Sequence, residues 1–157
     1  MKTETMLALQ SYLKKDYSKK NQYRQADMLR MILEINQDVI CHGLCKIEDY
    51  EAKTMLFPML GNGLRLVRRG IEPHMMEAVL LNMAFANEID LLESLLVIDG
   101  SCSIQMQRPV ELTKELLLSY FTFDVQEDFR NSLQHLKINS CEPLTKEEVE
   151  RLLKQCN

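Results

Sequence analysis

The sequence predicts an all-α fold, a single-domain helical bundle of about six to eight helices. Three observations carry that expectation. Only five glycines and four prolines occur in 157 residues, leaving few tight turns of the kind a sheet needs. Ten methionines accompany abundant leucine and glutamate, residues that lose little rotamer freedom in a helix. Apolar residues also recur at helical spacing along most of the chain. At 46% hydrophobic and 27% charged, a chain of this length buries enough core to stand without disulfides or a structural metal.

The elements follow in order. Thr3 or Thr5 is expected to cap a first helix with Met6, Leu9 and Leu13 on one face. Lys14 to Asn21 reads as a polar linker or frayed end, so residues 1–21 form a basic N-terminal helix and linker. A helical core domain over 22–136 begins with a long helix, 22–46. There Met28, Ile32, Ile35 and Val39 make a stripe that Leu29, Leu33, Ile40 and Leu44 widen. Pro58 opens a helix over 58–69 that carries Met59, Leu60, Leu64 and Val67, and Gly70 stops it in the left-handed conformation. Pro73 opens the next, through Met76, Val79, Leu80 and Met83. Its continuation, Ile89 to Ile98, bends near Asn87 or runs straight to Gly100.

Residues 101–108 read as irregular, Pro109 opens a helix with Leu112, Leu116, Leu117 and Tyr120, and a further helix covers 125–136. Residues 137–157 are expected to form a linker and a capped C-terminal helix. Thr145 and Glu148 make its capping box, with Leu144 and Val149 at the staple positions and Leu152 and Leu153 as a narrow apolar edge. Leu66, Val67 and Gly70 reappear as Leu96, Val97 and Gly100. Two such copies are helical hairpin grammar, below the number a solenoid needs.

Several function classes are excluded by composition. The longest run without Asp, Glu, Lys or Arg is eleven residues, Thr54 to Leu64, against roughly 18–20 for a membrane-spanning helix. No integral membrane insertion is expected. The N-terminus lacks the long apolar core of a secretory signal. A net charge of −4 gives no global cationic field, so nucleic acid is not the expected partner. Five scattered cysteines do not form the framework of a small secreted domain; a reduced, cytoplasmic setting is expected, with the cysteines acting as small core hydrophobes.

The densest reactive cluster holds Asp38, Cys41, His42 and Cys45. A zinc site there would need two more ligands, and His74, Cys102, His135 and Cys141 stand alone without diagnostic spacing. The simpler reading is a helix with two packed thiols and one surface histidine, with no metal. Cys41 and His42 are adjacent and point about 100° apart on a helix, which disfavours a catalytic pair. Gly61 and Gly63 lack the Lys-Ser/Thr of a phosphate-binding loop. Neither enzymatic activity nor a cofactor is expected.

Two basic patches remain. Lys14, Lys15, Lys19, Lys20 and Arg24 interleave with Tyr12, Tyr17 and Tyr23, a composition that can bind single-stranded nucleic acid or an anionic surface. Arg65, Arg68 and Arg69 fall at i, i+3, i+4 on one helix, a spacing that can pair with carboxylates of a partner.

Three segments add a resemblance. CHGLCKIED, MLGNGLRLVRRGIEPHMMEAVL and ESLLVIDGSCSIQMQRPVELTKELLLSYF, in that order between about Ile35 and Tyr120, resemble the cytoplasmic part of the MotA-type flagellar stator subunit. The resemblance implies a helical domain that presents charged residues to a partner protein, with the family's glutamate at Glu48. The family's arginine falls on Ile40, and Ile89 to Leu95 runs straight through the place of its membrane helices, so ion-driven torque generation is not implied. The expected function is a bacterial protein–protein interaction module, an adaptor or regulator. It would contact a flagellar or secretion component through Glu48, Arg65, Arg68 and Arg69, or self-associate through the broad stripe of the long helix.

Overall fold

A computed structural model describes residues 1–134. The expected C-terminal helix, with Thr145, Glu148 and residues 137–157, lies outside the described residues, as do His135 and Cys141. Seven α-helices run through the described chain: α1 (Thr3–Tyr12), α2 (Lys19–His42), α3 (Pro58–Arg68), α4 (Pro73–Ala86), α5 (Leu91–Gln105), α6 (Val110–Leu118) and α7 (Phe123–Leu133). Two 3-10 turns, Leu44–Tyr50 and Lys53–Leu56, join α2 to α3. No strand occurs among the described residues, and the all-α expectation holds.

The fold is built around α5. It packs against α1, α2, α3, α4 and α6, and every residue from Ser94 to Ile104 is buried. A helix covered on all sides has no polar face to maintain, which explains its uncharged LLVI and GSCSI runs. The sequence expectation that the helix ends at Gly100 and that 101–108 is irregular is therefore corrected. The helix continues through Gly100 to Gln105. Gly100 is there for space: a Cβ at that position would lie 2.9 Å from both Cδ1 and Cγ2 of Ile32 on α2. Gly63 on α3 does the same from the other side, since its Cβ would lie 2.2 Å from Ser101 Oγ. The two glycines let α2 and α3 approach α5 closely.

The stripe of α2 is where periodicity placed it, with Met28, Leu29, Ile32, Leu33, Ile35 and Val39 all buried. Its ends differ from the expected 22–46. Ser18 caps the start, accepting from the Asn21 backbone N–H at 3.3 Å, and Gly43 at φ 90° ends the helix at His42. Leu44 thus lies past the helix and Ile40 faces solvent. At α1 the cap position is Lys2, with no side-chain bond, and Thr3 and Thr5 sit inside the helix.

The 13–18 connection is not frayed. Leu13 is buried, Lys14 accepts from the Leu91 backbone N–H at 2.8 Å, and Asn21 Nδ2 donates to the Asp16 carbonyl at 2.7 Å. Buried Gln22 joins three segments, donating to the Tyr17 carbonyl at 2.8 Å and accepting from Thr122 N–H at 2.9 Å. Buried Asn36 holds the α5–α6 connection through the Arg108 carbonyl at 2.9 Å. Each of these amides satisfies a backbone group that the bundle removes from water.

Three reversals use the same helix end. After α3, Ile71 N–H bonds the Leu66 carbonyl at 3.2 Å and Gly70 N–H bonds Val67 at 2.9 Å, with Gly70 at φ 66°. After α4 and α5 the same pair of bonds forms around Glu88 (φ 51°) and Gln107 (φ 48°), residues with a Cβ in the left-handed region. Pro58 and Pro73 stand at the first turns of α3 and α4, as expected, whereas Pro109 is the cap residue of α6.

Candidate functional site

The apolar side of α3, with Met59, Leu60, Leu64 and Val67, is buried against α4 and α5, so its arginines are turned outward. Arg65, Arg68 and Arg69 are all exposed. They do not act as three equivalent charges. Arg68 Nη2 lies 2.6 Å from Glu48 Oε1, and Arg68 also pairs with Glu51. The expected protein-binding residues Glu48 and Arg68 are thus partners of each other, and the link ties the Leu44–Tyr50 turn to α3. Arg65 makes a 2.6 Å bond to Asn62 Oδ1, one turn earlier on its own helix. Arg69 caps the C-terminal end, where the helix dipole favours a cation.

Beside these arginines lies a groove of about 240 Å³, lined by Ile47, Glu51, Thr54, Gly61, Leu64, Arg65 and Arg68. Met55 and Leu56, next along the chain from Thr54, are each 80% exposed. The face therefore combines Arg65 and Arg69, which form no ion pair among the described residues, with an apolar floor at Ile47 and Leu64 and two protruding apolar side chains. Sequence reading missed Met55 and Leu56. They stand just before Pro58 in the long uncharged run, and only the short 3-10 turn puts them outside.

The basic N-terminal patch is arranged differently. Lys14, Lys15, Lys19, Lys20 and Arg24 are all exposed. Acidic residues of α7 stand among them. Lys19 Nζ lies 3.1 Å from Asp124, and the Tyr23 hydroxyl donates to Asp128. Thr122 and Lys19 together hold the Asp124 carboxyl down at about 2, so it is ionised at neutral pH. Tyr23 also stacks edge-on against Phe129, with ring centroids 5.8 Å apart. A groove of about 220 Å³ between α2 and α7 runs past Tyr23, Arg30, Asp128 and Leu133.

The cysteine cluster does not assemble as expected. Gly43 ends α2 between Cys41 and Cys45, so the two do not share a helix face. Cys45 is exposed and free, which corrects the picture of two packed thiols. Cys102 alone among the described cysteines is a buried free thiol, and burial pushes its pKa up to about 12. Asp38 accepts from the Tyr50 hydroxyl at 2.5 Å, and no group of three His, Cys, Asp or Glu side chains suited to a metal occurs among the described residues.

One charged cluster escaped sequence reading altogether. Asp99 on α5 and Glu77 on α4 are both buried, and the α-ammonium of Met1 lies 3.1 Å from Asp99 and 3.5 Å from Glu77. The Tyr120 hydroxyl donates to Asp99. Burial and the neighbouring Asp99 charge both raise the Tyr120 pKa. Only the position of Asp99 in a helix buried all round could have pointed to it.

The chain matches no protein-family model, no curated protein and no solved structure.

Proposed function

We propose that this chain is a helical protein–protein interaction module, resembling in sequence the cytoplasmic domain of MotA-type stator subunits and serving as an adaptor or regulator. The observation that carries the reading is the division of labour on α3. Arg68 is consumed in holding Glu48 and Glu51, while Arg65 and Arg69 carry charge beside an apolar groove and the exposed Met55 and Leu56. An amphipathic partner helix with carboxylates along one edge fits that face, since guanidinium groups bind carboxylates bidentately and the groove takes an apolar side chain. A flagellar or secretion component is the partner the sequence resemblance favours.

The alternative, a binder of nucleic acid or anionic surfaces through residues 12–24, has less support. Asp124 and Asp128 stand among the lysines and would repel phosphate.

The test reverses Arg65 and Arg69 to glutamate and leaves Arg68 in place, because Arg68→Glu would unseat the 3-10 turn as well. Capture from the source cell should lose its main co-purifying protein while the circular dichroism spectrum and melting temperature stay unchanged. Undiminished capture by the folded double variant refutes the face.

A further inference from the structure

We propose that the groove beside Gly61 is a socket for one large apolar side chain of an acidic helix laid along α3. Carboxylates of that helix, four and eight residues from the side chain, meet Arg65 and Arg69. The inference rests on the α3 face as the contact surface and names what that face selects.

Gly61 is the residue that opens the socket. Gly61 and Gly63 both lie inside α3, and neither has the positive φ that would demand glycine. Two positions apart on a helix, they face about 200° apart. Gly63 faces α5, where Ser101 fills the space of its missing Cβ. Gly61 faces the other way and lines the groove of about 240 Å³. The atoms nearest to where its Cβ would stand belong to Thr54, the closest at 3.3 Å, and Thr54 is another wall of the same groove. That wall is fixed, because the Thr54 hydroxyl donates to the Glu51 carbonyl at 2.8 Å. Glycine inside a helix destabilises it relative to alanine, and at position 61 it keeps the groove wide. Ile47 and Leu64 form the floor. An apolar cavity of about 150 Å³ holds a benzene molecule, so this groove has room for a leucine, methionine or phenylalanine side chain.

The charges decide what stands beside that side chain. Gly61, Arg65 and Arg69 follow one another at i, i+4 and i+8, so each guanidinium lies about 6 Å further along the chain. A helix packed at a small crossing angle repeats at the same interval and can set a carboxylate against each. Arg65 bonds Asn62 Oδ1 at 2.6 Å, one contact for a group with five N–H donors. Arg68 is different. Glu48 and Glu51 already pair with it, and a third carboxylate there would meet their repulsion. The acidic edge of the partner is thereby steered to Arg65 and Arg69.

The test selects ligands for the full-length chain from a phage-displayed library of helical peptides about 18 residues long, enough to hold a helix. Enriched peptides should carry a leucine, methionine or phenylalanine with Asp or Glu four and eight positions away, in either chain direction. Changing that apolar residue to alanine should weaken binding at least about tenfold. Gly61→Met, which fills the socket, should weaken the native peptide as much, and in that variant the alanine change should matter less than about threefold. If Gly61→Met does not fold, Gly61→Ala should weaken the same peptide at least about threefold. Peptides that lack the acidic spacing, or that need Arg65 and Arg69 yet bind the Gly61 variant as tightly as the native chain, overturn the socket and leave the α3 face standing. Peptides lost on neither the Gly61 variant nor Arg65→Glu/Arg69→Glu, or a library that yields no binder, overturn both.

Discussion

Replacing Gly100 by alanine should weaken the bundle in one sequence background and strengthen it in another. In the native background the new Cβ lies 2.9 Å from both Cδ1 and Cγ2 of Ile32, and 3.4 Å from Cγ1. Carbon atoms prefer about 3.5–4.0 Å, so two contacts are compressed into the steep part of the potential. Ile32 cannot turn aside, because it is fully buried and β-branched side chains hold essentially one rotamer in a helix. Overpacking of this kind costs about 1–3 kcal/mol, of which alanine's better helix propensity returns about 1. The net loss is about 0–2 kcal/mol. Ile32→Ala alone should cost about 2–5 kcal/mol. On top of Ile32→Ala the obstructing atoms are gone, so Gly100→Ala should then raise stability by about 1 kcal/mol. Urea denaturation of the four proteins, with equal m-values, measures the cycle. If Gly100→Ala shifts stability by the same amount and sign in both backgrounds, the close α2–α5 approach is not what selects glycine.

Two further outcomes follow from particular residues. Glu88→Gly and Gln107→Gly should each stabilise the protein by up to about 1 kcal/mol, because both positions hold a Cβ in the left-handed region; a loss in both urea midpoints would refute the assignment. Asp124, held at about 2 in the folded chain against 3.8 when free, contributes stability that is fully present above about pH 4 and lost as pH falls towards 2. Asp124→Asn should therefore flatten the acid limb of the melting-temperature profile, and an unaltered limb would show that Lys19 and Thr122 do not hold this carboxylate.

Legibility in the sequence followed how local the deciding physics was. The stripe from Met28 to Val39, the prolines at 58 and 73 and the stop at Gly70 rest on interactions within one turn or one face, and all were readable. Gly100 was misread because the same residue ends one helix by its φ and admits a neighbour to another by its missing Cβ. Gly70 does the first and Gly100 the second, although both follow a Leu-Val pair. The arginine face was found, but its internal use was not. Arg68 meets Glu48 and Glu51 only because Gly43 turns the chain back from α2. The Met1–Asp99 contact joins Met1 to the fifth helix, and no spacing rule reaches that far.

The central place of α5 also sets an order of events during synthesis. The apolar stripe of α2 and the inner faces of α3 and α4 are all completed by one helix that is translated after them. At about 5–20 residues per second, several seconds separate the synthesis of α2 from that of α5. Through that interval the main element packed against α2 is the Leu44–Tyr50 turn that directly follows it. The chain can close its core only when this most buried of its helices reaches the others.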